Sequence, residues 1–386
     1  MRVSSTYGKK TVFLDLKTIN HRTIFPTSVQ IYTQMDPSID FLIDDCSLQE
    51  IPDDNSWLTE AQARINQIRK APVSIKMKVR GHNMFWGDDG HVPYWVKGLN
   101  SADLLQAMQH HVNSMVSHTR GKLEHWDVNN ENLHGDFYER HTGNPDITAQ
   151  MFKWIHTQES GVKLFLNDYG VAVKSQYTTV WTPCLSFKAS AYRDQAIQLK
   201  KEGIPIYGMG VQGHFYGSDI DIVGLKYRLD LLAEAGLPIW ITELTIQEQD
   251  ENKKAKALES LITLFFSHPA VEGVLLWGFW DHAMKNTAAA ITTGSNVTPN
   301  AAGVVYQRLY GQDWKTDFSH AISSHGPVTT SAFMGDYSLK VKNNNHVIHT
   351  ETFTLDKAGK NLTIHLQGTY TCVVVSGIRN RCIYNK

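Results

Sequence analysis

Apolar positions in the middle of the chain recur in six short runs, each of which ends in polar or charged residues. The runs are Val79–Trp86, Leu123–Glu131, Lys163–Gly170, Gly208–Phe215, Pro238–Ile246 and Gly273–Asp281. Most intervals between them show helical spacing of apolar residues, as over residues 102–115. A strand-then-helix unit that repeats along the chain is typical of an α/β protein with a parallel sheet.

Side chains able to do chemistry collect at the carboxyl ends of these runs. They are His82 and Trp86, Glu131, Asn167 and Asp168, Gln212 and His214, Glu243, and Trp277 and Asp281. A (β/α)8 barrel builds its active site at the carboxyl ends of its strands. A doubly wound open sheet is the competing fold, but no glycine-rich phosphate loop follows any run. We therefore predict an α/β fold with a TIM (β/α)8-type barrel.

The two ends of the chain show short β patterns instead. Upstream, strands are predicted at Thr11–Lys17, Ser28–Gln34 and Ile39–Asp44, before an amphipathic helix over Trp57–Lys70. Downstream, strands are predicted at Tyr337–Val341, His346–Thr350, Thr352–Leu355 and Asn361–Leu366. The predicted organisation is a β fragment over residues 1–52, a helical connector over 53–76, the barrel over 77–318 and a β appendage over 319–386.

Composition narrows the possible partners. The 386 residues carry 37 Lys and Arg against 38 Asp and Glu, which argues against a nucleic-acid binder or a polybasic membrane protein. No apolar run is long enough to span a bilayer, and the first residues have no apolar core of a signal peptide. Ten Trp, fifteen Tyr and fifteen Phe without net positive charge favour sugars as ligands. We expect a monomer that binds neither nucleic acid nor membranes.

The cysteines give no sign of a metal site. The four are scattered without paired ligand spacing, and only Cys372 and Cys382 are close in sequence. That pair could form a local disulfide in a secreted protein, or both could be free thiols. We predict no metal and no organic cofactor.

Two glutamates at strand ends suggest a reaction. Glu131 follows Trp126-Asp-Val-Asn-Asn130, and Glu243 follows Ile239-Trp-Ile-Thr242. Cleavage of a glycosidic bond requires one carboxylic acid to protonate the leaving oxygen and a second carboxylate to attack the anomeric carbon or activate water. Either glutamate alone could be an ordinary loop carboxylate, but the two together favour glycoside hydrolysis.

Six strings resemble successive strands of glycoside hydrolase family 10, the retaining endo-β-1,4-xylanases. They are Val79-Arg-Gly-His-Asn-Met-Phe-Trp86, Trp126-Asp-Val-Asn-Asn-Glu131, Leu166-Asn-Asp-Tyr169, Gly210-Val-Gln-Gly-His214, Ile241-Thr-Glu-Leu244 and Leu276-Trp-Gly-Phe-Trp-Asp281. Their order and spacing agree with the family over residues 77–315. The resemblance implies a barrel that cleaves internal bonds of xylan outside the cell.

The resemblance also implies roles for individual residues. Glu131 matches the general acid/base, and Glu243 matches the nucleophile, so the two carboxyl groups are expected about 5–5.5 Å apart. The other matching positions bind sugar or line the cleft near the nucleophile: Asn130, His82, Trp86, Trp277, Gln212 and His214.

The sequence departs from the family pattern in three places. Thr245 stands where the family usually has Asp, and no Trp follows shortly after Asp281. The two strands that precede the Arg-Gly-His strand are not visible, and residues 28–51 resemble only the last strands of a carbohydrate-binding β-sandwich. We therefore expect a barrel that is incomplete at its N-terminal side, with an unpaired edge on Val79–Trp86 and another on Gly273–Asp281.

Three functions remain open from the sequence. The first is a retaining endo-β-1,4-xylanase, with activity reduced if the barrel is incomplete. The second is a carbohydrate-binding pseudoenzyme with little turnover, and the third is a β-glucanase of a related barrel family.

Overall fold

The computed structural model describes residues 2–6, 9–13, 28–30, 78–173, 183–322, 329–343, 345–365 and 373–378. The chain divides into two compact units, one formed by residues 1–167 and 198–207 and the other by residues 168–197 and 208–386. The predicted strand at Ile39–Asp44, the predicted helix at Trp57–Lys70 and the pair Cys372 and Cys382 lie outside the described residues. No helix in the described ranges is long and apolar enough to cross a membrane.

The first unit is built from parallel strands and helices in alternation. Its strands are β1 (Arg2–Thr6), β2 (Lys9–Phe13), β3 (Ser28–Gln30), β4 (Lys78–Gly81), β5 (Phe85–Trp86), β6 (His125–Asn130) and β7 (Lys163–Asp168). Its helices are α1 (Tyr94–Lys97), α2 (Ser101–Thr119), α3 (Phe137–Thr142) and α4 (Ile147–Gln158). Strands β3, β4, β6 and β7 pair in parallel in that order, and β5 also pairs with β6. Strands β1 and β2 form an antiparallel pair.

Local sequence explains the longest helix of this unit. The Asn100 side chain caps α2 by accepting a hydrogen bond of 3.0 Å from the Asp103 N–H, which satisfies one of the helix's free donors. Leu104, Met108 and Val112 recur every four residues on one face and are buried. This periodicity places an apolar stripe on the buried side of the helix and leaves the opposite face to solvent.

After β7 the chain forms α5 (Pro183–Lys201) and then the strands and helices of the second unit. The parallel strands are β8 (Gly208–Val211), β9 (His214–Tyr216), β10 (Ile239–Gln247) and β11 (Val271–Leu276). Strands β8, β9 and β11 all pair with β10. The helices are α6 (Ile222–Ala233), α7 (Glu251–Ser267) and α8 (Ala301–Arg308), and a short hairpin joins β12 (Thr292–Thr293) to β13 (Thr298–Pro299).

The C-terminal residues of the second unit form an antiparallel sheet. Its strands are β14 (Phe318–Ile322), β15 (Gly335–Asn343), β16 (His346–Leu355) and β17 (Val373–Ile378), in the order β14–β17–β15–β16. The two strands predicted at His346–Thr350 and Thr352–Leu355 are one continuous strand. The strand predicted from Asn361 is wrong for residues 361–365, which have irregular backbone.

The six runs that the pattern identified each contain a parallel strand, so that prediction is confirmed. Two runs contain two strands each, β4 with β5 and β8 with β9. The expected free edge on the upstream side of β4 is wrong for three residues, because Ser28–Gln30 pairs with Lys78–Arg80 in parallel and satisfies part of that edge. At the other end, β11 pairs with β10 and with no further strand in the described ranges, and Val274 and Leu276 are half-buried.

Candidate functional site

Glu131 lies in the first unit, directly after the buried strand β6. Its φ of 59° is in the left-handed region, where a residue other than glycine is uncommon. The Glu131 N–H donates to the Asn167 carbonyl at 2.8 Å, and its side chain is buried. Backbone strain of this kind concentrates at functional sites, because the surrounding structure has to hold it in place.

Three other predicted residues gather near Glu131. The Trp86 indole N–H donates to Glu131 Oε2 at 2.8 Å, and Trp86 lies opposite Asn130 in the β5–β6 pairing. Asn130 Oδ1 accepts a hydrogen bond of 2.8 Å from Asn167, but its buried Nδ2 has no partner in the described part of the chain. The His82 ring approaches the Trp86 ring edge-on, with centroids 6.1 Å apart.

A buried ion pair beneath this cluster was not predicted from the sequence. Arg80 donates to both carboxylate oxygens of Asp127, and His82 Nδ1 lies 3.0 Å from Asp127 Oδ2. Burial alone would raise the pKa of Asp127, but the Arg80 charge and the His82 hydrogen bond outweigh it and lower the pKa. The available signal was a charged residue inside a fully buried strand, which requires a partner of opposite charge on the neighbouring strand.

Acid should weaken folding through His125, at the start of β6. Burial and the nearby charges of Arg80 and Lys163 lower its pKa from 6.5 to about 2, so the folded chain keeps His125 neutral. The unfolded chain binds a proton below about pH 6.5, so the stability contributed by neutral His125 is complete above that pH. It is lost as the pH falls towards 2, at up to about 1.4 kcal/mol per pH unit.

This prediction can be measured by urea unfolding between pH 7 and pH 4, followed by tryptophan fluorescence. His125→Leu should flatten the dependence of the unfolding free energy on pH, whereas the exposed His110→Gln should leave it as in the wild type. An unchanged slope in His125→Leu would show that His125 does not titrate on unfolding.

Glu243 lies in the second unit, on the buried strand β10. His214 lies opposite Thr245 in the β9–β10 pairing, and its ring spans the two side chains. Its Nε2 is 2.9 Å from Glu243 Oε2, and its Nδ1 is 2.9 Å from Thr245 Oγ1. The Trp277 ring meets the His214 ring at 90°, with centroids 5.7 Å apart. A carboxylate only accepts hydrogen bonds, so His214 carries a proton on Nε2 in this arrangement.

The remaining predicted residues of this unit lie around the same strand ends. Gln212 is buried two residues before His214, and its backbone N–H donates to the Asp168 carbonyl at 2.9 Å. Asp281 accepts from the Gly294 N–H at 3.1 Å, and the Trp280 indole donates to the Gly294 carbonyl at 2.7 Å. These two contacts attach the β12–β13 hairpin to the segment that follows β11.

Strand–helix repeats with buried glutamates at the carboxyl ends of parallel strands are the arrangement of barrel-type glycoside hydrolases. The sequence profile of glycosyl hydrolase family 10 matches residues 53–302. The chain therefore belongs to glycosyl hydrolase family 10, as the resemblance implied.

Known relatives agree with this assignment. Endo-1,4-beta-xylanase 1 of Arabidopsis thaliana is 32% identical over 319 residues, which cover 81% of this chain and 32% of that protein. The anti-sigma-I factor RsgI6 of Acetivibrio thermocellus is 35% identical over 265 residues, which cover 69% of this chain and 33% of that protein. The chain thus spans about a third of the length of these two relatives.

Solved structures show the same fold. A GH10 endoxylanase retrieved from a sugarcane soil metagenome superposes with a TM-score of 0.52 at 23% identity, covering 61% of this chain and 77% of that one. An intracellular xylanase from Thermoanaerobacterium saccharolyticum superposes with a TM-score of 0.51 at 27% identity, covering 59% and 75%. The predicted TIM-type barrel is confirmed. The described residues contain fewer strands than the eight of a complete barrel, and the shortfall is at the N-terminal side.

Proposed function

We propose that this chain is a retaining endo-β-1,4-xylanase that cleaves internal bonds of xylan. The observation that carries the proposal is that each buried glutamate is held by a different donor. Trp86 donates to Glu131, and His214 donates to Glu243. The family membership and the xylanases among the relatives support xylan as the substrate.

The reaction we propose has two steps. Glu243 attacks the anomeric carbon while Glu131 gives its proton to the departing glycosidic oxygen, which leaves a glycosyl ester on Glu243. Glu131, now a carboxylate, takes a proton from water as the water oxygen displaces Glu243 from the anomeric carbon. Asn130 Nδ2, which has no partner among the described residues, is our candidate donor to a sugar hydroxyl. We propose that His82, Trp86, Gln212 and Trp277 also contact the sugar.

The proposal is tested by release of reducing sugar from xylan and from mixed-linkage β-glucan, with binding to both polymers measured in parallel. We expect release of β-configured products from xylan and little release from glucan. Release from glucan alone would assign a β-glucanase, and binding without release would assign a carbohydrate-binding pseudoenzyme; either result overturns the proposal.

We further propose that the enzyme works as a monomer on polysaccharide outside the cell. Size-exclusion chromatography with light scattering tests the first statement, and detection of the native protein in the extracellular fraction tests the second. Recovery of the protein only from the cell interior would overturn the extracellular location. That outcome has a precedent, because one similar solved structure is described as an intracellular xylanase.

Thr245 should set the pH dependence of the reaction through His214. The Thr245 hydroxyl can donate to Nδ1, so a neutral imidazole satisfies both of its neighbours. An aspartate would accept from Nδ1 and favour the charged imidazolium beside Glu243. We therefore expect Thr245→Asp to move the pH–activity profile by about one pH unit.

The measurement is kcat/KM on xylan between pH 4 and pH 9. Thr245→Asn, which adds a polar side chain without charge, is the matched control and should keep the wild-type profile. A profile that does not move in Thr245→Asp counts against the coupling between position 245 and Glu243.

A further inference from the structure

The exposed side chain of His91 covers one face of the Trp86 indole. The two rings are parallel within 3°, and their centroids are 3.8 Å apart. His91 belongs to a single turn of 3-10 helix, Asp89–His91, that follows β5 closely. The same indole donates its N–H to Glu131. His91 therefore restrains a residue that contacts the proposed acid/base, although no contact between His91 and Glu131 themselves is needed.

Asp88 fixes the His91 ring in this position. His91 Nδ1 lies 2.8 Å from Asp88 Oδ2, and the carboxylate can only accept, so Nδ1 carries a proton. Asp88 precedes the 3-10 turn, yet its side chain makes no capping hydrogen bond there, because the carboxylate is directed to His91. The ring is thus oriented by one charged hydrogen bond and by its stack on the indole.

The turn that carries Asp88 and His91 is anchored to residues on both sides of Glu131 in the sequence. The Gly87 N–H donates to the Asn130 carbonyl at 2.8 Å. A Cβ on Gly87 would lie 2.6 Å from the Gly135 carbonyl oxygen, so the two backbones touch only because both residues are glycine. Arg140 also reaches Asp89 at 2.8 Å. The same backbone contacts therefore hold both the His91–Trp86 stack and Glu131.

The direction of the Trp86 hydrogen bond has a chemical consequence. An indole N–H is a donor only, and the carbonyl-type oxygen of a carboxylic acid is the better acceptor. Donation to Oε2 therefore favours the acid proton on Oε1 when Glu131 is protonated. A Trp86 ring that could tilt away from Oε2 would no longer select the oxygen that carries the proton.

We propose that His91, oriented by Asp88, is a positioning residue that holds Trp86 so that Glu131 presents its proton from one defined oxygen. The role rests on the proposed function, since it concerns proton donation to the leaving group. His91 covers one face of the Trp86 indole, so that face is not available to a sugar. The covered indole acts through its N–H, which orients Glu131.

The test compares His91→Ala with His91→Phe in the full chain. His91→Ala removes the stack, whereas His91→Phe keeps an aromatic ring over the indole. A positioned acid contributes about 10²–10⁴ to rate, and we expect His91→Ala to lose part of that, lowering kcat on xylan about tenfold with little change in KM. Aryl xylobiosides with good leaving groups need no proton in the first step, so the burst of phenol release from them should be unchanged. His91→Phe should restore the rate on xylan.

A spectroscopic measurement keeps the test independent of activity. The ten Trp indole N–H groups can be observed by ¹⁵N-labelled NMR, with the Trp86 signal assigned from Trp86→Phe. The Trp86 signal should move in both His91→Ala and Glu131→Gln and stay in place in His91→Phe. A signal that does not respond to His91→Ala, or a loss in the aryl burst as large as the loss on xylan, overturns the positioning role. A wild type that does not hydrolyse xylan overturns the proposed function instead, and the NMR result still decides the role of His91.

Discussion

Glu243→Gln should abolish hydrolysis of xylan while leaving binding of xylo-oligosaccharides close to that of the wild type. The amide has nearly the shape of the carboxylate and can still accept a hydrogen bond from His214, so β10 and its surroundings keep their packing. It cannot form the glycosyl ester, and removal of a catalytic nucleophile lowers kcat by about 10⁴-fold or more. The loss should extend to activated aryl substrates, because every substrate must pass through the ester.

The measurement combines reducing-sugar assays with calorimetric binding of xylo-oligosaccharides. Glu234→Gln is the control. Glu234 is in the same unit and forms an exposed ion pair with Arg193, and such a pair contributes little to the free energy of unfolding. If the Glu243→Gln variant retained a tenth of the wild-type rate, Glu243 would not be the nucleophile.

Glu131→Gln should give a different pattern. Loss of a general acid/base costs about 10²–10⁴-fold, and we expect a loss in this range on xylan, whose leaving oxygen needs a proton. On an aryl xylobioside with a good leaving group the first step should proceed nearly as in the wild type. The glycosyl ester should then accumulate, because no base remains to activate water.

Pre-steady-state kinetics with the aryl substrate should therefore show a burst of phenol release, and added azide should speed turnover because it needs no base. Glu202→Gln, an exposed change in the same unit, should show neither effect. A loss in the burst phase of the aryl substrate as large as the loss on xylan would assign Glu131 a structural role.

Strand positions in the barrel could be predicted because its strands are nearly all buried. A buried parallel strand has apolar residues on both faces, so it forms a continuous apolar run, as in Leu164-Phe-Leu166. The residues at strand ends were equally visible, since polar side chains after such runs interrupt the pattern. This placement identified the candidate residues, and the contacts of Trp86 with Glu131 and of His214 with Glu243 come from the structure.

Other features depend on tertiary contacts that the order of apolar and polar residues does not predict. Strand β3 is three residues long and has too few positions to show a period. Strand β17 contains three consecutive valines, which favour a β conformation, whereas residues 361–365 alternate in the same way as a strand and are irregular. The stack of His91 on Trp86 requires a 3-10 turn to bring back a residue five positions away, and sequence spacing alone does not indicate a turn of that shape.

The left-handed backbone at Glu131 has a consequence for engineering. Glycine adopts a φ near +60° without cost and asparagine does so more readily than glutamate, so either would relieve about 1 kcal/mol of backbone strain. Selection for heat resistance alone should therefore replace Glu131, whereas selection for growth on polysaccharide should retain it. At position 131, thermal stability and catalytic turnover therefore favour different amino acids.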